Sequence, residues 1–172
     1  RPCTFYDARG SFRESYNARD LKALGVATRF VQDNLSVSRR GVIRGLHAQR
    51  GIEAQAKLIS VLRGKVWDVV VDIRPASPTF GQYAACELSA REGFQLFVPA
   101  GFLHGFAVLS REAVVFYKCD RFYCPSAQVK VCPLDKNLAI PWPVGPKERV
   151  LAPGDAQGQS FADLCRELGV SA

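Results

Sequence analysis

The chain has 172 residues, 48% of them hydrophobic and 23% charged, with a formal net charge of +7. This composition is that of one soluble globular domain that can fold without a metal or disulfides, and no apolar run approaches the ~20 residues that would span a membrane. The basic residues are scattered singly and no nucleic-acid motif accompanies them, so we expect a small anionic ligand and no nucleic-acid partner.

The first residue is Arg1 and the sequence contains no methionine. We therefore expect the native start to lie upstream, where a cleaved targeting segment would also fit. The six cysteines form no Cys-x-x-Cys pair and are too sparse for a secreted disulfide scaffold. They predict reduced thiols and a cytoplasmic protein.

Short runs rich in Val, Ile, Phe and Tyr alternate with glycine and proline turn signals along most of the chain. In chain order, the pattern predicts a helix from Asn17 to Leu24, strands at 28–37, 41–49, 56–63, 65–74, 82–89, 94–98, 102–109 and 113–119, and a helix from Ser160 to Leu168. The Pro/Gly-rich stretch from Pro141 to Gly158 is predicted to be a surface connection. Many short strands with few helices predict a single all-β domain over residues 1–172, an antiparallel sandwich or barrel.

Both predicted helices carry signals at their ends. Asn17 is a favourable N-cap for the first helix, and Gly25 follows its end. Ser160 is the N-cap of the second helix, Asp163 stands at the capping-box position, and Gly169 follows its end. These signals favour two separate short helices near the two ends of the chain.

One of only two histidines, His47, lies three residues after Arg44 within a predicted strand. Histidine suits general-base catalysis near neutral pH, although a single histidine in a strand is more often a packed core residue. In regular alternation the two side chains would point to opposite faces. Gly45 between them permits a β-bulge, which we predict because it would bring the base and the cation to one side.

Three further side chains occupy apolar strand faces. His104 shares its face with Phe102 and Phe106, so we expect it to point into the interior, either as a hydrogen-bonded core residue or as a ligand contact. Lys57 lies on the face of Ile59 and is an interior cation unless it extends to the rim or faces solvent. Tyr117 is either a packing anchor or, if it faces a ligand, a general acid.

Two histidines are too few for the usual barrel metal site, so we predict that no metal is bound. The sequence alone does not determine which carboxylate orients His47. The candidates are Glu14, Asp68, Asp72, Asp135 and Asp155.

Several segments together resemble the dTDP-4-dehydrorhamnose 3,5-epimerase family of sugar-nucleotide epimerases. They run in order from about Phe5 to about Leu164, and the resemblance is strong because so many occur together. The segments are Asp7 to Glu14, Phe30 to Asn34, Gly41 to His47, Gln55 to Leu58, Asp68 to Gly81, Pro99 to Phe106, Tyr117-Lys118, Tyr123 and Pro141-Trp142-Pro143.

The resemblance implies a cupin-type jelly roll that works as a cytoplasmic homodimer, with one site in each barrel mouth and no metal or organic cofactor. It implies a dTDP-linked 4-keto-6-deoxy sugar as substrate, epimerised at C3 and C5 through an enolate. The family strand that would precede Phe5 is expected to be missing, which would alter the dimer edge.

Residue by residue, the resemblance makes His47 the base with Asp155 as its partner, and Tyr117 the acid on the opposite face of the sugar. Lys57 and His104 would contact the sugar and the developing oxyanion. The expected diphosphate, nucleotide and sugar contacts are Arg9, Arg44, Glu14, Gln32, Asp33, Asn34, Tyr123 and Gln128.

The chain departs from the family pattern at three positions. Ala48 replaces a frequent aromatic residue, Gln128 a usual acidic one, and Gly154 a usual basic one. Gly154 directly precedes Asp155, so this departure from the family pattern weakens the assignment of Asp155 as the partner of His47. Asp135 therefore stays an alternative partner. The alternatives to the 3,5-epimerase are a single-carbon epimerase of another nucleotide 4-keto sugar, a non-catalytic sugar-nucleotide-binding cupin and, least favoured, a metal-dependent cupin oxygenase.

Overall fold

The structure of the chain, a computed structural model, describes residues 1–170. The strands are β1 (Thr4–Asp7), β2 (Gly10–Arg13), β3 (Gln32–Arg39), β4 (Ile43–Gln49), β5 (Lys57–Arg63), β6 (Lys65–Asp72), β7 (Tyr83–Ser89), β8 (Gln95–Val98), β9 (Phe102–Val108), β10 (Glu112–Cys119) and β11 (Gln128–Lys130). The α-helices are α1 (Ala18–Ala23), α2 (Pro153–Ala156) and α3 (Phe161–Leu168), and two 3₁₀ helices cover Gly51–Glu53 and Pro125–Ala127.

The strands form two facing antiparallel sheets and a separate hairpin. The smaller sheet has the order β3-β10-β5-β8, the larger one has the order β11-β4-β9-β6-β7, and β1 pairs with β2. The prediction of an all-β, cupin-type antiparallel fold is confirmed, and each of the eight predicted strands is present with shifted ends. The sequence pattern missed β1, β2 and β11, which are only three or four residues long.

One apolar core lies between the two sheets and fills only part of the barrel. Ile59 and Val61 of β5 meet Phe106 and Val108 of β9, and Val115 of β10 completes the contact. Within β5 and β9 these side chains are two residues apart, so they point to the same face of their strand. Toward the other end of the barrel the inward positions become polar, and the space there stays open.

A second core covers the outer face of the larger sheet. Trp142 and Val144 pack there with Phe161 and Leu164 of α3. The prediction that Pro141 to Gly158 is a surface connection was wrong for this part, since Trp142 and Val144 are each only 5% exposed. The Trp142 indole N–H donates to the Pro133 carbonyl at 2.7 Å, so its polar edge is satisfied inside the core.

The two predicted helices are confirmed, together with their end signals. Asn17 accepts a hydrogen bond from the Arg19 amide at the start of α1. Ser160 accepts one from the Asp163 amide at the start of α3, and Gly169 ends that helix with φ of 70°. Across residues 1–170, none of the helices is long and apolar enough to cross a membrane.

The predicted bulge in β4 is confirmed. Arg44 pairs with Phe106 and His47 with His104, so two residues of β4 stand opposite the single residue Gly105. Gly45 has φ of 116°, and a Cβ atom there would lie 2.7 Å from the Gly105 Cα and from the His104 carbonyl oxygen. Glycine is therefore required at this position by both backbone conformation and space.

Replacing Gly45 by Ala should destabilise the fold by about 3 kcal/mol, because a strained backbone and a steric clash with β9 act together. The matched control is Gly10→Ala, since Gly10 has a similar φ of 123° but open space around the added methyl group. Backbone strain alone should cost that variant about 1 kcal/mol. Urea unfolding of both variants measures the difference, and equal losses would show that the close approach of β9 contributes nothing.

Candidate active site

Two adjoining cavities open in the polar half of the barrel. The inner cavity, of about 170 Å³, is lined by Ser36, Arg44, His47, Lys57, His104, Gly105, Phe106, Tyr117 and Asp155. The outer cavity, of about 230 Å³, is lined by Gln32, Asn34, His47, Ala48, Gln49, Gln55, Lys57, Tyr117, Cys119, Tyr123 and Gln128. Because His47, Lys57 and Tyr117 line both, the two cavities form one site with an inner chamber and a mouth.

His47 is hydrogen bonded to Asp155, whose carboxylate Oδ1 lies 2.6 Å from the imidazole Nε2. Asp155 is 6% exposed and also accepts a hydrogen bond of 3.3 Å from the Gly45 amide. With Nε2–H donated to the carboxylate, the imidazole keeps Nδ1 as a proton acceptor. The arrangement is that of a base oriented by a buried carboxylate.

The position of Asp155 follows from how the C-terminal segment crosses the larger sheet. Val150 bridges to Val42 just before β4, and Gln159 bridges to Val131 just after β11. The chain between these two bridges includes α2, which contacts β4 and carries the Asp155 carboxylate to His47. Asp155 is therefore the partner of His47, and the alternative Asp135 instead accepts backbone N–H groups of residues 137, 138 and 161.

The charge of Asp155 is stabilised where it lies. Burial by itself would raise the pKa of Asp155, but the hydrogen bond and charge of His47, the Gly45 amide and the charge of Lys130 together hold that pKa below its ordinary value of 3.8. The carboxylate is thus ionised at neutral pH and can stabilise a proton arriving on His47.

A second histidine–aspartate pair lies directly beside the first. The His104 Nε2 is 2.9 Å from Oδ1 and 3.0 Å from Oδ2 of Asp68, which is fully buried on β6. His104 is 7% exposed and stands opposite His47 in the β4–β9 ladder. The prediction of an interior His104 is confirmed, and the side chain is both hydrogen bonded in the core and part of the cavity wall.

Lys57 extends into the cavities and does not turn to the rim. It lines both of them, and its ammonium lies 5.9 Å from the ring centre of Tyr117. Burial lowers the pKa of Lys57, while the nearby Cys119 and Asp68 act in the opposite direction. An ammonium that has lost water in this way is stabilised by any negative charge that enters the chamber.

Tyr117 stands on the other side of the site from His47. It belongs to β10 of the smaller sheet, whereas His47 belongs to β4 of the larger one. Burial and the nearby Cys119 raise the pKa of Tyr117, against a smaller opposite effect of Arg44. The phenol is thus protonated at neutral pH and able to donate that proton into the cavity.

Arg44 reaches the inner cavity on the same side as His47, as the bulge requires. Its Nε donates to the Ser38 hydroxyl at 2.9 Å, which leaves part of the guanidinium free to bind a ligand. Together with Lys57 it makes the chamber basic, because the two carboxylates nearby are already engaged by histidines. The site suits an anionic ligand.

Side chains of the mouth are connected by hydrogen bonds. Gln32 donates to Asn34 at 3.0 Å and accepts from the Tyr123 amide at 2.9 Å. The Tyr123 hydroxyl donates to Gln128 at 3.2 Å, and its ring is about half exposed. This network holds a polar rim and one aromatic surface at the entrance, where a planar ring could stack.

Three predicted contacts lie outside both cavities of this chain. Asp33 alternates with Gln32 and Asn34 to the other face of β3, where it pairs with Lys118 at 2.9 Å. Arg9 lies between β1 and β2 and pairs with Asp7. Glu14 follows β2 and lines a separate, larger cavity of about 520 Å³ between the hairpin, α1 and the smaller sheet.

The sequence pattern missed several residues of the site. Ser36 lines the inner cavity, and its buried hydroxyl has no hydrogen-bond partner among residues 1–170. It follows Gln32 and Asn34 at two-residue spacing, which could have predicted its direction. Asp68 was named only as one acid among five, since its pairing with His104 depends on the register of β6 with β9. No cluster of three or more metal-ligating side chains occurs in the described part of the chain.

Comparisons with known proteins identify close relatives. The sequence model of the family described as dTDP-4-dehydrorhamnose 3,5-epimerase matches residues 1–163. A protein of that name from Pseudomonas aeruginosa is 47% identical over 163 residues, which cover 94% of this chain and 89% of the relative. The one from Shigella flexneri is 45% identical with the same coverage. The matched range includes every residue that lines the two cavities.

The solved structures agree with the sequence matches. The dTDP-6-deoxy-D-glucose-3,5-epimerase from Legionella pneumophila Philadelphia 1, solved in complex with dTDP-4-keto-L-rhamnose, superposes with a TM-score of 0.91. It is 45% identical in sequence, and the match covers 99% of this chain and 90% of that chain.

Replacing Asp155 by Asn should remove a pH-dependent part of the stability. Because the folded pKa of Asp155 lies below its ordinary value of 3.8, its carboxylate stabilises the fold above about pH 4, and this contribution is lost as the pH falls through the lowered pKa. We therefore expect the variant to be less stable than the wild type at about pH 6 and the difference to shrink on acidification. Urea unfolding across this range measures it; a difference that does not change with pH would contradict the expectation.

Proposed function

The chain belongs to the dTDP-4-dehydrorhamnose 3,5-epimerase family, and on that basis we propose how its own residues act on dTDP-4-keto-6-deoxyglucose. His47 is the base and Tyr117 is the acid in the inversion of C3 and C5. The observation that carries this proposal is that a carboxylate-oriented histidine and a protonated tyrosine face each other across one basic cavity. Inversion at carbon needs a base and an acid on opposite sides of the sugar ring.

The first step is proton abstraction next to the ketone. The 4-keto group acidifies the hydrogens on C3 and C5, because the electron pair left by either proton can move onto the keto oxygen. The free Nδ1 of His47 takes the proton, the C–H electrons form the enolate, and Asp155 stabilises the resulting imidazolium. The 2.6 Å hydrogen bond also keeps the ring aligned during this step.

The enolate oxygen then needs a positive group that is already in place. Lys57 supplies that group as a partly desolvated ammonium, and His104, whose ring is held by the buried Asp68, is the proposed second contact to the sugar. Charges that are preorganised in a site with little water stabilise a developing anion more than mobile solvent does. The Lys57 ammonium therefore lowers the barrier to enolate formation, while it binds the neutral ketone less strongly.

The second step returns a proton to the carbon from the other face. Tyr117 donates its phenolic proton to the carbanion face that His47 does not cover, and the configuration inverts. His47 releases its proton to solvent and Tyr117 takes one back, so the enzyme is unchanged after each inversion. The raised pKa of Tyr117 keeps it protonated before the step.

The proposed diphosphate contact lies in the basic inner chamber, and the proposed nucleotide contacts lie in the polar mouth. Arg44 is the proposed diphosphate ligand, since its planar guanidinium can donate two parallel hydrogen bonds. Gln32, Asn34 and Gln128 line the proposed sugar and nucleotide path, and Tyr123 offers a surface on which a base can stack. Asp33 faces away from this path, and its proposed contribution is to hold Lys118.

We further propose that the enzyme is a homodimer in which the β1–β2 hairpin contacts the partner's site. Arg9 and Glu14 lie outside the cavities of their own chain. The hairpin also exposes Phe5 and Phe12, which are 61% and 69% exposed, and β3 is a sheet edge with the exposed Leu35. Exposed apolar side chains and unpaired strand edges are both typical of an interface.

The proposed location is the cytoplasm. All six cysteines are unpaired, as expected for a reducing compartment. The alternative of a non-catalytic binding cupin loses support because Asp155 is in direct contact with His47, and together with Lys57 and Tyr117 they form an arrangement that binding alone does not need. An epimerase that inverts one carbon stays as the second candidate, since it would use the same groups.

Proton NMR of dTDP-4-keto-6-deoxyglucose with the enzyme in heavy water tests the reaction. We expect deuterium at both C3 and C5, and a loss of at least ~100-fold in exchange rate for His47→Asn, because general-base catalysis contributes that much or more. Tyr117→Phe should slow inversion more than exchange. The control is Tyr83→Phe, which removes an equivalent hydroxyl from β7.

The outcomes separate the candidates. Exchange at C3 alone or C5 alone would favour the single-carbon epimerase. Absence of exchange in the wild type with this substrate would overturn the proposed reaction. Equal effects of Tyr117→Phe on exchange and inversion would remove Tyr117 from the role of acid on the second face.

Mixing two inactive variants tests the dimer. His47→Ala lacks the base, and the double variant Arg9→Ala/Glu14→Ala lacks the hairpin contacts. If the hairpin acts on the partner's site, mixed dimers contain one complete site and activity returns after subunit exchange. Activity that stays absent, although light scattering confirms mixed dimers, would mean that the hairpin does not act across the interface.

A further inference from the structure

The segment that carries Tyr123 belongs to no strand or helix. It lies between the end of β10 at Cys119 and the 3₁₀ helix Pro125–Ala127. Within the described residues 1–170, the backbone groups of residues 121–123 take part in no backbone–backbone hydrogen bond. Tyr123 nevertheless lines the outer cavity at the mouth of the site. The support for its position therefore comes from side chains.

Two glutamines bond to the backbone of this segment. Gln55, two residues before β5, donates to the Arg121 carbonyl at 2.8 Å. Gln32, the first residue of β3, accepts from the Tyr123 amide at 2.9 Å. Both glutamines also line the outer cavity, so they tie the segment to the wall of the mouth at two points.

Gln49 of β4 makes the contacts that enclose Tyr123. Its Nε2 donates to the Glu53 carbonyl at 2.8 Å and to the Phe122 carbonyl at 3.2 Å, and its Oε1 accepts from the Cys124 amide at 2.7 Å. Phe122 and Cys124 are the two neighbours of Tyr123 in the chain. One side chain thus holds the backbone directly before and directly after the aromatic residue.

The chemistry of a carboxamide suits Gln49 to this role. The residue is only 4% exposed, and buried polar atoms of this kind need partners within the protein. A carboxamide has two N–H donors and one carbonyl acceptor. In Gln49 both donors and the acceptor bond to backbone groups, which also decides the orientation of the amide. An apolar side chain of the same length could make none of these contacts.

We propose that Gln49 is a positioning residue for nucleotide binding: it holds residues 122–124 so that the Tyr123 ring stands in place before the ligand arrives. The proposal deepens the proposed function, since it rests on Tyr123 as the surface on which the nucleobase stacks. A ring that is already ordered loses little freedom when the ligand binds, so more of the stacking interaction appears as affinity. Because Gln49 lies two residues after His47 on β4, one strand positions both the proposed catalytic base and the stacking ring.

Binding of dTDP to the whole protein, measured by isothermal titration calorimetry, tests the proposal. Gln49→Leu should weaken binding roughly 10-fold, which is part of the effect of losing one base–aromatic stack. Gln49→Met keeps the unbranched shape without a polar group and should give the same loss, so the result does not depend on how well one variant folds.

Ser110→Ala is the matched control. The Ser110 hydroxyl also bonds to backbone groups, since it accepts from the Lys65 amide at 2.9 Å and donates to the Glu112 carbonyl at 2.6 Å. Ser110 lies in the turn between β9 and β10 and lines neither cavity. Its replacement should lower the stability and leave the affinity for dTDP unchanged.

A double-mutant cycle with Tyr123→Ala separates positioning from direct ligand contact. If Gln49 acts through the ring, Gln49→Leu should change the affinity for dTDP by less than about 2-fold in the Tyr123→Ala background. An equal loss in both backgrounds would overturn the proposal and make Gln49 a direct ligand contact. Wild-type affinity in Gln49→Leu, with binding still weakened in Tyr123→Ala, would overturn this inference alone. Unchanged affinity in Tyr123→Ala would remove the stacking surface from the proposed function, and this inference with it.

Hydrogen exchange and kinetics give two further readouts. The Cys124 amide should exchange faster in Gln49→Leu than in the wild type, because it has lost its acceptor; unchanged exchange would contradict the proposed restraint. KM should rise with little change in kcat, since the nucleotide is bound alike in the ground state and the transition state. A fall in kcat at unchanged KM would overturn the proposal and place the effect of Gln49 on the chemical step.

Discussion

The contact between Asp155 and β4 is the interaction on which the rest of the site depends. One carboxylate accepts hydrogen bonds from the His47 imidazole and from the Gly45 amide, so it holds the base and the bulged backbone at once. The bulge in turn places Arg44 on the side of His47. The proposed base and the proposed cation for the ligand are thus arranged by a single buried carboxylate carried on α2.

The division of the barrel into an apolar and a polar half explains how a small domain tolerates so many buried charges. The apolar half packs Ile59, Val61 and Phe106 between the sheets. The outer core, which holds Trp142 under the C-terminal segment, stabilises the larger sheet from its other face. Because both faces of the larger sheet are packed in this way, the polar half of the barrel can stay open. Within each of its two histidine–aspartate pairs, the buried polar atoms are hydrogen bonded to one another.

The local parts of the fold were predictable because they follow from short-range rules. His104 and Phe106 line the same cavity from alternate positions of their strand, the helix that begins after Ser160 has its predicted N-cap, and Gly45 permits the bulge between Arg44 and His47. The short strands β1 and β11 were missed because they are stabilised by their neighbours and carry no pattern of their own. The burial of Trp142 was missed because a Pro/Gly-rich composition indicates the backbone conformation of a segment but not whether that segment packs against a core.

By itself, the sequence determined eight of the eleven strands described, the family resemblance and the histidine that is proposed as the base, since each depends on residue type and local spacing. Only the tertiary structure decided which acid meets His47, because Asp155 is 108 residues away and arrives through the path of α2 across β4. The same applies to the pairing of His104 with Asp68, which depends on strand register.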